Sequence, residues 1–476
     1  MKKQQLLKNT LIIFLGKVST QLISYFLLPL YTARLIKSEY GLVDIIQTYI
    51  TLFVPIITLE LEMSVFRYLI DARGEEKDTK KLMSNNFYIL GISILTFSLL
   101  YILVTSFITI PLRWFILFDV IVCVLSGNFL QITRGFGKTV DYAISCILTG
   151  ITTIASNILL IVHFNMQANG MILSMAIANL VCALYLFIRL KMYRYIDFHL
   201  VDKKLIKDMN KYSIPLIPNG ISWWIVNASD RTIITYVLGS AANGLYAISN
   251  KFPTIISSLT GVFNLSWSES AALHINSPDR DEFFSDIFNT VIKLFTAMGA
   301  GMIACMPFLF PIFINAEYNG AYPYIPFLVL GTVFNVAICL YSQIYLAKKL
   351  SKQVASTAVL GAVINVLINV IFIKKLGLYA AAISTTVSYF VMMIYRHFDM
   401  KKYVNITIEK GLIQKTILIF TVVIYFYYQR NLYLNILSLG IAVIYSILLN
   451  KKFLLETYQN VTKKLFSKNK TTKANI

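Results

Sequence analysis

Residues 41–66 read GLVDIIQTYITLFVPIITLELEMSVF. The stretch is long enough to cross a bilayer, which takes about 20 mainly apolar residues in a helix. Its polar members are ordered: Asp44, Thr48, Thr51, Pro55, Thr58 and Glu62 follow at steps of 4, 3, 4, 3 and 4. At 3.6 residues per turn, those steps bring all six to one face of a helix. A polar face against lipid is costly, so it is expected to turn toward protein or a wet cavity. Pro55 offers no N–H to the Thr51 carbonyl, which predicts a kink. Asn250, Thr254, Ser257, Gly261, Asn264 and Ser268 repeat the pattern, and Lys17, Gln21 and Ser24 stand at i, i+4 and i+7. Any one such stripe can be packing between helices through small polar residues. Three at corresponding places favour a shared central cavity.

The rest of the 476-residue chain is of the same kind, with 57% hydrophobic and 14% charged residues and a mean hydropathy of +0.67. Soluble domains carry about 25% charged residues, so a large water-soluble enzyme is excluded. Apolar segments of spanning length fall near 10–33, 41–66, 84–110, 112–133, 142–163, 168–188, 213–238, 246–272, 286–314, 322–346, 354–373, 377–395, 412–428 and 431–449. They predict an all-α integral membrane protein of about 14 transmembrane helices, because an open sheet cannot satisfy its backbone in lipid. The first segment is read as a retained span, since it lacks a small-residue cleavage site.

The net charge of +20 follows this topology. With the N-terminus inside, 32 of the 43 Lys and Arg residues fall on the inner side and six on the outer (Arg34, Lys37, Arg113, Lys374, Lys375, Arg430). Five lie within spans: Lys17, Arg231, Lys251, Lys293 and Lys415. This is the positive-inside bias, and it places both termini in the cytoplasm. The basic excess therefore belongs to the membrane, with no nucleic-acid partner. The five cysteines show no CxxC spacing, the four histidines show no metal-ligand spacing, and no GxxxxGK[ST] loop occurs. No catalytic or metal site and no resident cofactor is expected.

The chain also echoes itself. Tyr40-Gly41-Leu42 matches Asn243-Gly244-Leu245 at an offset of 203, and Gln131-Ile132 matches Gln343-Ile344 at 212. Ala143 with Ala355 and Asn157 with Asn369 keep that offset, and Gly170-Met171 matches Gly377-Leu378 at 207. The order implies two six-helix lobes, 1–190 and 212–396, joined by a basic cytoplasmic linker, 191–211. Helices 13 and 14 follow in 397–449, then a basic cytoplasmic tail, 450–476. An even number of spans per lobe makes the repeats parallel, as in some alternating-access transporters.

The seventh segment, 214–239, reads IPLIPNGISWWIVNASDRTIITYVLG. Asn219, Trp223, Asn227 and Asp230 share a face, with Arg231 beside it and about 10 Å from the outer end at 1.5 Å per residue. Asp230 and Arg231 are neighbours in sequence and cannot face each other. Arg231 either snorkels or pairs with an acid on another helix, or it binds an anion in the cavity, for which its planar fork suits phosphate. Lys17 and Lys251 are cavity candidates or snorkel to the span ends; for Lys293 snorkelling is favoured. Asp44, Glu60, Glu62 and Asp119 can bind a coupling cation, and Glu60 or Glu62 can instead form a gate pair with Arg67.

Several short motifs carry a resemblance: Lys8-Asn9-Thr10, Leu28-Pro29-Leu30-Tyr31 and Glu39-Tyr40-Gly41; Ser64-Val65-Phe66-Arg67; Arg134-Gly135-Phe136-Gly137-Lys138; and Ser229-Asp230-Arg231 followed by Gly244-Leu245-Tyr246. In these the chain resembles Wzx-type polysaccharide (O-antigen or capsule repeat unit) flippases of the multidrug/oligosaccharidyl-lipid/polysaccharide exporter superfamily. The resemblance implies a transporter, not an enzyme, with two lobes around a central cavity in the bacterial cytoplasmic membrane. The implied cargo is an undecaprenyl-diphosphate-linked oligosaccharide, carried from the inner to the outer leaflet and coupled to H+ or Na+. Membrane lipids and other polysaccharide-assembly membrane proteins are the implied partners. On this reading Arg231, Lys17 and Lys251 receive the diphosphate, and Asn227, Gln21 and Asn250 meet sugar hydroxyls. Asp44, Asp230, Glu62 and Arg67 serve ion coupling or gating. A multidrug exporter of the same superfamily, taking organic cations, is the nearest alternative. A membrane glycan polymerase or ligase is the enzyme alternative, and the short outer loops argue against it.

Overall fold

The computed structural model describes Ile23, residues 25–451 and Leu455, and among these all regular structure is helical. The chain divides into two units, Met1–Ala247 and Ile248–Ile476. The first contains α1 (Leu28–Arg34), α2 (Lys37–Ile57), α3 (Leu61–Asp71), α4 (Glu76–Phe107), α5 (Arg113–Gly135), α6 (Thr139–Asn157), α7 (Gln167–Arg189), α8 (Lys203–Ser213), α9 (Ile217–Leu238) and the first turns of α10 (Ser240–His274). Eleven helical stretches among the described residues are long and apolar enough to cross a membrane, matching the second to sixth and ninth to fourteenth segments. The seventh and eighth segments form α9 and α10, unbroken helices of 22 and 35 residues.

The stretch 41–66 is not one helix, which corrects the expectation of a single kinked span. Helix α2 ends at Ile57, Leu59 and Glu60 take positive φ (53° and 54°), and α3 restarts at Leu61. Pro55 supplies the cause, since the last turn has already lost a hydrogen bond there. The Glu60 amide instead reaches back to the Pro55 carbonyl at 2.9 Å, closing a wide turn. Left-handed backbone at a non-glycine residue costs roughly 1–2 kcal/mol. Burial on the far side offsets this: Leu61, Val65 and Leu69, one face at i, i+4 and i+8, are almost fully buried against Leu82, Met83, Ile132 and Leu186.

At 32 residues, α4 is about 48 Å long, well beyond a hydrocarbon core of about 30 Å. Its polar start, EKDTKKLMSNN, is therefore expected to continue past the hydrocarbon core. Within it Asn86 exchanges two amide hydrogen bonds with Asn128 of α5, at 2.9 and 3.2 Å. The basic stretch after α7 runs along this end of α4, tied by Lys80–Asp197 (3.0 Å) and Lys81–Asp202 (2.6 Å). The Lys80 ammonium, helped by the His199 amide, holds the Asp197 carboxyl below the usual carboxylate range. Lys81 and the Lys204 amide do the same for Asp202. Helix α8 then buries Met209 while Lys203, Lys204, Lys207 and Lys211 stay exposed.

The second unit holds the remainder of α10, then α11 (Arg280–Phe313), α12 (Ile325–Ala347), α13 (Ser351–Leu376), α14 (Leu378–Met400), α15 (Leu412–Gln429) and α16 (Leu432–Leu449). Its pin is Arg396 of α14, which the charge map counts with the inner-loop cations but which is fully buried. It donates to the Ile338 carbonyl (2.9 Å) and Ser342 Oγ on α12, and to Thr357 Oγ1 (2.7 and 2.9 Å) and the Val354 carbonyl (3.2 Å) on α13. A five-donor guanidinium can serve that many neutral acceptors at once, which a lysine cannot.

Candidate functional site

The polar face of α2 meets α9 and the start of α10 within the first unit. The starts of α2 and α10 cross so closely that only glycine fits. A Cβ on Gly41 would lie 1.8 Å from the Ser240 carbonyl oxygen, and one on Gly244 would lie 2.1 Å from that of Lys37. These two glycines are the pair matched in sequence at an offset of 203. Asn243, just before the second glycine, is buried and donates through Nδ2 to the Gly41 carbonyl (2.9 Å) and to Asp44 Oδ2 (3.3 Å).

Asp44 Oδ2 also accepts from Arg231 Nε at 2.9 Å, and the two side chains keep 18% and 20% of their surface exposed. Asp44 is seven residues inside the start of α2 and Arg231 seven before the end of α9, each about 10 Å from its helix end. The two independent depths agree. One to two turns deeper, Trp224 Nε1 donates to the Thr48 carbonyl (2.8 Å), and its ring lies 5.9 Å from that of Tyr49. Asp230 points elsewhere: it is buried and accepts from the Tyr246 hydroxyl at 2.8 Å.

The other sequence candidates are dispersed. Glu62 accepts from Thr58 Oγ1 at 2.8 Å across the α2–α3 break. Arg67 pairs with Asp71 at 2.6 Å on the exposed side of α3, not with Glu60 or Glu62. Their placement on a short helix explains this, because i and i+4 share a face while 62 and 67 do not. Asn250 and Lys251, both half-buried, lie on α10 in the second unit. Lys17, Gln21 and Ser24 lie outside the described residues, as do the side chains of Asn219, Trp223 and Asn227. Lys293 pairs with Glu409 rather than reaching water alone.

Asn243 and Tyr246 are the site residues that sequence reasoning missed, Asn243 having been read only as a marker of the repeat and Tyr246 only as part of a family motif. Their signal was adjacency to Gly244. Asp119 of α5 is 1% exposed, accepts from Gln47 Nε2 at 2.6 Å, and has no basic partner among the described residues. Among those residues no group of His, Cys, Asp and Glu is placed to hold a metal ion. The Asp44–Arg231 node thus offers charge exchange: a guanidinium that donates through Nε to the Asp44 carboxylate and that a stronger anion can take over.

A family model described as polysaccharide biosynthesis protein matches residues 6–267, more than half the chain. No curated protein sequence matches significantly. Among solved structures, the lipid II flippase MurJ in an inward closed conformation is similar at a TM-score of 0.72 and 15% identity, covering 94% of this chain and 100% of that one. The Vibrio cholerae MATE transporter VcmN gives 0.58 and 13%, covering 84% and 96%. A transporter of the MOP superfamily from Pyrococcus furiosus gives 0.55 and 12%, again covering 84% and 96%. The chain thus shares the fold of these transporters, and its helices of spanning length and apolarity make it a multi-pass membrane protein.

Proposed function

Because the chain belongs to the polysaccharide biosynthesis protein family, we propose that it is a flippase for an undecaprenyl-diphosphate-linked oligosaccharide. It carries this cargo by alternating access from the inner to the outer leaflet of the bacterial cytoplasmic membrane, with both termini cytoplasmic. The observation that carries the reading is the Arg231–Asp44 pair, an arginine ion-paired about 10 Å from its helix end in a partly exposed setting. The cargo's diphosphate bears more charge and more acceptor oxygens than a carboxylate, so it competes for the fork. Lys17 adds positive charge, and Gln21 and Asn227 supply hydrogen bonds to sugar hydroxyls. An organic-cation cargo would gain nothing from this arginine.

The exchange has a second consequence. When Arg231 turns to the diphosphate, Asp44 loses its counter-charge inside the span, where a lone carboxylate is costly. It then takes up H+ or Na+, and its hold on Asn243 weakens along with the contact between α2 and α10. Cargo binding, ion uptake and release of the outer helix ends thereby become one step. The test is translocation of a lipid-linked oligosaccharide in proteoliposomes. Arg231→Ala is expected to lower it at least tenfold at normal expression, and collapsing both ion gradients is expected to slow it. Full activity of Arg231→Ala together with Lys17→Ala removes the diphosphate assignment.

A further inference from the structure

The two units share a device that neither the repeat motifs nor the comparisons single out. In the first, the chain leaving α7 docks on the inner end of α4. Asn85 donates through Nδ2 to the Leu200 carbonyl (3.1 Å) and accepts at Oδ1 from the Asp202 amide (2.8 Å). In the second, the chain leaving α14 docks on α11. Asn289 donates through Nδ2 to the Thr407 carbonyl (2.8 Å) and accepts at Oδ1 from the Glu409 amide (2.9 Å). In both, one carboxamide grips the carbonyl of residue n and the amide of residue n+2, as a neighbouring strand would.

The resemblance extends to the surroundings. Each asparagine also donates to the carbonyl four residues earlier, Lys81 for Asn85 and Ser285 for Asn289, both at 2.8 Å. That second bond fixes the side-chain rotamer. A helix serine accepts a further exit-chain amide in each unit: Ser84 from Asp197 and Ser285 from Thr407, both at 3.0 Å. Residue n+2 is acidic in both, and its carboxylate binds a lysine four residues from the asparagine, Lys81 with Asp202 and Lys293 with Glu409. The offsets, 204 between the asparagines and 207 between the acids, fall within the range of the sequence repeat. The asparagine's three hydrogen bonds and the acid at n+2 recur, whereas the lysine precedes the asparagine in the first unit and follows it in the second, and the serine and the length of the exit chain differ.

We propose that Asn85 and Asn289 are equivalent positioning residues, which keep each repeat's exit chain docked on its third helix throughout the transport cycle. Each repeat then moves as a closed body. Bending is confined to the chain beyond each clamp, from α8 to the start of α9 after Asp202 and around Gly411 (φ +80°) after Glu409. The inference borrows its translocation readout from the proposed function, whereas its exchange readout stands without it.

The test uses the full chain in nanodiscs and proteoliposomes. Hydrogen exchange of the Asp202 and Glu409 amides is expected to be slow, and to speed up at least tenfold only at Asp202 in Asn85→Ala and only at Glu409 in Asn289→Ala. In a cysteine-free background, Lys81→Cys with Asp202→Cys is bridged by a short bis-thiol reagent. Bridged protein should translocate within twofold of unbridged, and bridging should restore Asn85→Ala, whose own rate falls several-fold. Fast exchange at both amides in the unaltered chain overturns the clamp itself. Loss of translocation on bridging, with slow exchange, overturns its persistence through the cycle. Loss of translocation in every sample, with the exchange pattern as expected, overturns the flippase reading and leaves the clamp standing. If Asn85→Ala does not fold, bridging of the otherwise unaltered chain decides.

Discussion

Reversing the Asp44–Arg231 pair separates a fastening from a binding role. The interacting atoms are 2.9 Å apart, which puts the charge centres about 4 Å apart. At an effective dielectric near 20 this corresponds to about 4 kcal/mol. Roughly a fifth of each side chain remains exposed, so solvent screens part of it, and the net coupling should be about 1–3 kcal/mol, below the ~3–5 of a fully buried pair. A double-mutant cycle with Asp44→Ala and Arg231→Ala, read as thermal unfolding in nanodiscs, measures this coupling. The double reversal, Asp44→Arg with Arg231→Asp, should recover most of the stability. It should not recover flipping, because the fork now projects from α2 instead of α9. Flipping restored by the reversal refutes a specific role for Arg231 toward the cargo. Coupling below about 0.5 kcal/mol, the usual limit of additivity, refutes the pair.

Three further outcomes are expected. Gly41→Ala or Gly244→Ala forces backbone apart and should cost about 1–3 kcal/mol or more, seen as a lowered melting temperature; an unchanged melting temperature contradicts the crossing. Arg396→Ala leaves two hydroxyls and two carbonyls without their donor, and the second unit should lose about 3–5 kcal/mol, with Arg396→Lys recovering only part of it. Asp197 and Asp202 have lowered pKa values in the folded chain, so their stabilisation is present above the ordinary aspartate value of about 3.9. It is lost as pH falls through the folded values. Exchange at the Asp202 amide should therefore be constant from neutral pH down to the ordinary aspartate value of about 3.9, after correction for intrinsic rates, and accelerate only below it.

Periodicity and composition were enough for the fold class, because in lipid a run of apolar residues has few alternatives to a helix. They also placed the polar face of α2 and the depth of Arg231, since both depend only on rise and turn per residue. The break at Leu59–Glu60 was half legible. Pro55 marks a fault in the helix, but whether the chain bends or restarts depends on what Leu61, Val65 and Leu69 can pack against. Arg396 was misassigned for a related reason: hydropathy sees a cation near a span end, not the four acceptors that converge on it.

The partners of charged side chains lie beyond such reasoning. A helical pattern says which residues share a face, and nothing in it says which face of another helix stands opposite. Asp44 and Arg231 are 187 positions apart and meet only because Gly41 and Gly244 let the starts of α2 and α10 close to backbone contact. Likewise Asn85 and Asn289 look like ordinary polar residues near span ends until the exit chains are seen lying against them. One-dimensional spacing decides what the bilayer requires of each segment, whereas pairing between segments is settled by steric fit, which exists only once the helices have packed.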